Sequence, residues 1–171
     1  MKIIGLLMVF VGCILFGSMI NEKYKMRIKE LQAFIRGFEC LQREINYRLT
    51  PFAEGCDEAS KHIGYGVDDL FRQFAKALEQ GDSLEPQKLW QDLLSSQKSR
   101  YHLQTEDYHI LESFGNRIGV LDKEMQEKDL DYLIKRLSDT VSLLEQEQGK
   151  STKMSLELSI LVGACLCILL I

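Results

Sequence analysis

Only two prolines, Pro51 and Pro86, occur in the 171-residue chain, so long stretches run without the imide that would break a helix. No segment alternates apolar and polar residues as a half-buried strand does. These two absences leave a helical chain as the expectation. A phosphate-cradling loop is also missing: Gly64-Tyr65-Gly66 lacks the rest of a dinucleotide fingerprint. Ser113 stands in no nucleophile elbow. The three histidines, His62, His102 and His109, keep no metal-binding spacing with acids or cysteines. The five cysteines, Cys13, Cys40, Cys56, Cys165 and Cys167, form neither a zinc pattern nor a disulfide framework. A basic surplus is lacking as well. The net charge is −4, which gives no electrostatic reason to expect nucleic acid. The acid pairs Asp68–Asp69 and Asp129/Asp131 read as solvated helix faces. Nothing demands catalysis, and neither a cofactor nor a metal is expected.

The apolar residues, 46% of the chain, are unevenly placed. Ile3–Ile20 is free of charge, and as a helix it would reach about 27 Å, close to the hydrocarbon thickness of a bilayer. Leu158–Ile171 is also charge-free apart from its terminal carboxylate, and extending it back to Met154 gives it a similar reach. The expected organisation is a transmembrane segment over 1–21, a soluble helical domain over 22–153 and a second transmembrane segment over 154–171. Lys23, Lys25, Arg27 and Lys29 follow the first run, and Lys150 and Lys153 precede the second. Excess Lys and Arg marks the cytoplasmic side, so the middle is expected in the cytoplasm. A cleaved signal peptide, or a lipoprotein signal around Phe10–Cys13, competes with this reading. Both are opposed by the apolar run past Cys13 and the basic cluster after it.

Helical periodicity organises the middle. Tyr24, Ile28, Leu31, Ile35, Phe38, Leu41, Ile45 and Leu49 draw one stripe along a helix that Pro51 should end at Thr50. A short helix is expected over Phe52–His62. Another spans Val67–Gln80, with Gly81 just past its end. A third is capped by Ser83, has Pro86 in its first turn and runs to about Ser95. Trp90 reads as a core or edge anchor rather than a ligand-stacking group. Tyr108, Leu111, Gly115 and Ile118 share a stripe on the next helix. Gly115 there would let a neighbouring helix come close, and Gly119 would make the corner that follows. Asp122 would cap a last helix carrying Leu130, Leu133, Ile134, Leu137, Val141 and Leu144. The fold class is therefore all-α: an antiparallel bundle of about six helices, flanked by one N-terminal and one C-terminal transmembrane helix.

Two stretches carry a family resemblance. They are "LQREINYRLTPFAE" (Leu41–Glu54), with Glu44, Tyr47 and Pro51, and "FGNRIGVLDKEMQ", with Gly115, Gly119, Asp122 and Gln126. With the two apolar ends, the chain resembles the stage III sporulation protein AB family. The resemblance implies a domain similar to the cytoplasmic helical domain of the type II secretion and type IV pilus inner-membrane platform protein. It implies a noncatalytic platform in the mother-cell membrane around the forespore, within the trans-envelope complex required for endospore formation. The partners it implies are other proteins of that complex, among them the secretion-type ATPase, stage III sporulation protein AA; a homo-oligomer is compatible with it. The alternative from another class is an exported, membrane-tethered ligand-binding or sensor domain, with a pocket lined by Trp90 or the tyrosines.

Overall fold

A computed structural model describes residues 2–81, 85–115 and 127–148, with side chains from residue 22 onward. Among these residues there are six α-helices and no strand: α1 Lys2–Arg43, α2 Phe52–Ser60, α3 Val67–Gln80, α4 Pro86–Ser96, α5 Thr105–Gly115 and α6 over 127–148. A π-helical turn, Glu44–Arg48, closes α1, and a 3-10 turn, Lys98–Arg100, links α4 to α5. Arg27–Val141 forms one compact unit; the remaining parts of α1 and α6 belong to a second.

The bounds of α3 match the sequence expectation. Gly66 and Gly81 flank it with φ of +81° and +66°, the left-handed backbone that glycine adopts without a Cβ penalty. Pro86 sits in the first turn of α4, where its missing N–H would be unpaired in any residue. Ser83, the expected cap of that helix, lies outside the described residues. So do Gly119, Asp122 and Gln126.

The buried stripe of α1 differs from the expected one. Ile28, Leu31, Phe34, Phe38 and Leu41 are buried, together with Arg27, Glu30 and Glu44. Tyr24 and Leu49, the expected ends of the stripe, are exposed. Leu49 is displaced because regular α geometry stops at Arg43. The π turn adds residues per turn, so later positions fall off the original face.

The core is an aromatic cluster supplied by five helices. Phe38 of α1 meets Phe114 of α5 at 4.7 Å between ring centroids and Phe71 of α3 at 5.5 Å. Trp90 of α4 lies 4.8 Å from Phe114 and 5.1 Å from Phe74 of α3. Phe52 of α2 closes the cluster against Phe74 and Phe114. These pairs, edge-on or tilted except for the stacked Phe52–Phe114, add to simple area burial. The Trp90 indole N–H donates to the Leu111 carbonyl at 2.8 Å, which satisfies its one polar atom inside the core.

Among the described residues, no helix is long and apolar enough to cross a membrane. The runs that carry that expectation are Ile3–Ile20, whose side chains are not described, and Leu158–Ile171, which lies outside the described residues.

Candidate functional site

The first motif stretch folds into a corner between α1 and α2. Pro51 disfavours helix at the residue before it, and the chain leaves α1 through Leu49, held at φ 56°, ψ 30°. Glu44 is the anchor of this corner. Its carboxylate is buried and accepts from the Thr50 hydroxyl at 3.3 Å, with Arg48 beside it at 3.2 Å. Its carbonyl accepts the Thr50 N–H at 3.2 Å. Pro51 begins α2 with φ −53° and ψ 144°, and its carbonyl accepts the Gly55 N–H at 2.9 Å. Tyr47 points outward and is 85% exposed. The three motif residues thus divide their work: Glu44 ties, Pro51 turns and Tyr47 is displayed.

A shallow groove runs beside this corner, lined by Cys40, Arg43, Glu44, Tyr47, Arg48, Glu58 and His62. Its far wall is the end of α2. There Lys61 bridges Glu58 at 2.7 Å and Asp57 at 3.4 Å. The hydrogen bond from Lys61 holds the Glu58 carboxyl below its ordinary value. His62 stands 3.6 Å from Glu58. Cys56 is fully buried behind this wall, and burial pushes its thiol well up, away from the reactive thiolate.

The second motif stretch is described only as far as Gly115. The sequence reading placed a close helix approach there, and the geometry agrees. A Cβ at Gly115 would lie 3.0 Å from the Gln87 carbonyl oxygen and 3.1 Å from Trp90 Cδ1. Gly115 therefore sets how near α5 lies to α4. It does not meet Glu44, Tyr47 or Pro51 in one site. Trp90 is fully buried among rings, so it offers no stacking face to a ligand.

Sequence reasoning missed a polar seam between α1 and the start of α5. Arg27, counted above as part of the basic flank, is buried and clamps Asp107 through two bonds of 2.8 and 3.0 Å. Asp107 also accepts the Gln104 N–H at 2.8 Å, the half of a capping box that ties the helix entry. One turn along α1, buried Glu30 takes the backbone N–H of His102 at 2.7 Å and lies 2.8 Å from its Nδ1. The only sequence signal was an arginine and a glutamate inside an otherwise apolar stripe. Tyr101 and Tyr108 flank the seam, donating to the Gly66 and Lys98 carbonyls. Burial raises both phenols, that of Tyr108 to about 12.

Three of the four paired acids lie at the surface with partners there, whereas Asp129 is half-buried with its Oδ2 enclosed, so it is not the solvated face expected. Arg72 bridges Asp68 and Asp69, and Asp131 accepts from Gln42 at 2.7 Å. Among the described residues, no group of three or more His, Cys, Asp or Glu side chains could hold a metal ion.

Comparisons with known proteins agree on one family. The chain is 25% identical over 170 residues to stage III sporulation protein AB of Bacillus subtilis (strain 168), which covers 99% of each chain. A solved structure of a stage III sporulation protein AB superposes with a TM-score of 0.67 at 23% identity, covering 73% of this chain and 98% of that one. The model of the stage III sporulation protein AB family matches residues 2–171. From that match over nearly the whole length, the chain belongs to the stage III sporulation protein AB family.

Proposed function

We propose that this protein is a noncatalytic platform of the mother-cell-to-forespore complex, anchored in the membrane around the forespore and engaging a secretion-type ATPase. The observation that carries the reading is the family match across residues 2–171. The geometry is in keeping with it. The polar groups of the seam are consumed in holding helices together, and the groups turned outward at the α1–α2 corner suit recognition rather than bond making. Ile3–Ile20 belongs to the same helix, α1, as the buried stripe of the bundle, an economical way to hold a bundle at a bilayer. The sensor alternative loses its stacking residue, because Trp90 is enclosed in the core.

Two measurements test the reading. Alkaline phosphatase fused at Lys61 should be inactive; activity there would place the domain across the membrane and end the cytoplasmic-platform model. The full chain, extracted in detergent from sporulating cells, should bring down the cognate secretion-type ATPase. If spores form normally without this protein, the platform role is wrong.

A further inference from the structure

We propose that the α1–α2 corner is a protein-docking surface whose partner presents an apolar pocket bordered by carboxylates. This rests on the ATPase-coupled platform reading above. The first observation is a cost accepted for display. Leu49 sits in left-handed backbone at φ 56°, a region that L side chains avoid and glycine or asparagine fill more readily. Yet the residue there is a leucine with 70% of its surface exposed. Two residues earlier, Tyr47 is 85% exposed. A fold stabilised only from within gains nothing from either side chain in these places.

The second observation is rigidity. Buried Glu44 fixes the turn from both its carboxylate and its carbonyl, through Thr50 and Arg48. The two apolar side chains are therefore presented with little freedom left to lose on binding. Tyrosine in such a setting is a frequent energetic anchor of protein interfaces.

Charge decides the occupant. Arg43 is exposed and has no carboxylate within ion-pair distance among the described residues. Arg48 lies against Glu44 but keeps 69% of its side chain exposed. Two guanidinium groups thus flank the apolar pair, and planar bidentate pairing makes carboxylates their natural complement. An anionic bilayer would also attract them. However, Glu54 in the first turn of α2 and Glu39, one turn before Arg43, are both exposed and would repel a continuous anionic surface. A protein can place its carboxylates selectively.

The test uses the full chain in detergent, with the cognate secretion-type ATPase as probe. Tyr47→Ala, Leu49→Asn and Arg43→Glu should each weaken binding about 10-fold or more, while Tyr47→Phe and the remote Lys76→Glu bind as wild type. Leu49→Asn suits the left-handed backbone, so its loss of binding cannot be put down to misfolding. Wild-type binding that all three corner variants retain overturns the docking proposal and leaves the ATPase reading intact. Failure of the wild type to bind overturns the ATPase reading, and this proposal with it. A photoreactive side chain at Tyr47 that crosslinks to phospholipid or to a second copy of this chain, not to the ATPase, also overturns it.

Discussion

At Gly115 a single hydrogen in place of a methyl group decides how two helices meet. Alanine there would gain up to about 1 kcal/mol in helix propensity, but its Cβ would press on the Gln87 carbonyl and on Trp90. Neither is the loose end of a flexible chain, and overpacking of this kind costs about 1–3 kcal/mol. Gly115→Ala is therefore expected to lower stability, measured as a drop in the denaturation midpoint followed by Trp90 fluorescence. Tyr101 and Tyr108 make a prediction about pH. Burial raises both phenols, that of Tyr108 from 10.0 to about 12. Below pH 10 both forms of the chain are protonated and the contribution is complete. Above it the unfolded chain loses its protons first, so stability falls as the pH climbs from about 10 through 12. Tyr108→Phe should flatten that alkaline decline in a stability–pH profile; an unchanged slope would mean the phenol is not held neutral.

Among the elements, the π turn has the most local consequence. Glu44→Ala removes the carboxylate that accepts from Thr50 and pairs with Arg48. Hydrogen exchange at residues 48–50 should then accelerate about 10-fold, corresponding to about 1.4 kcal/mol of lost local stability, while α3 and α4 keep their protection. Equal acceleration throughout would show that the turn is integral to the core. How far the elements could be read from sequence follows from their chemistry. The bounds of α3 were legible because glycines stand at both ends and a strong apolar face lies between. The role of Gly115 was legible from its place on a stripe. The π turn was not, since Glu44, Ile45 and Leu49 continue a three- and four-residue spacing, and nothing local announces the extra residue. Nor was the Arg27–Asp107 clamp. Its partners are 80 residues apart, and an arginine after an apolar run reads equally well as a membrane flank. The displayed side chain of Tyr47 was visible only as a motif position, without a direction.

On the scale of the whole molecule, the polar seam fastens the first helix to the fifth. Its central pair is nearly dry, and truncating one side of such a pair strands a charge in the interior. Asp107→Ala should cost about 3–5 kcal/mol, whereas Arg27→Met combined with Asp107→Leu should recover most of that loss. Chemical denaturation of the two variants side by side checks it. A double variant as unstable as the single one would show that the clamp supplies more than mutual neutralisation.

The same clamp sets a timetable. Arg27 leaves the ribosome 80 positions before Asp107 does, an interval of about 4–16 s at ordinary rates of synthesis, about 5–20 residues per second. During that time Leu31, Phe34 and Phe38 have emerged, while Tyr101, which packs on Phe34, and Trp90 and Phe114, which pack on Phe38, are still to be made. Phe71 of α3 can reach Phe38 earlier, but the newborn first helix stays only partly covered by its own bundle until translation reaches α5.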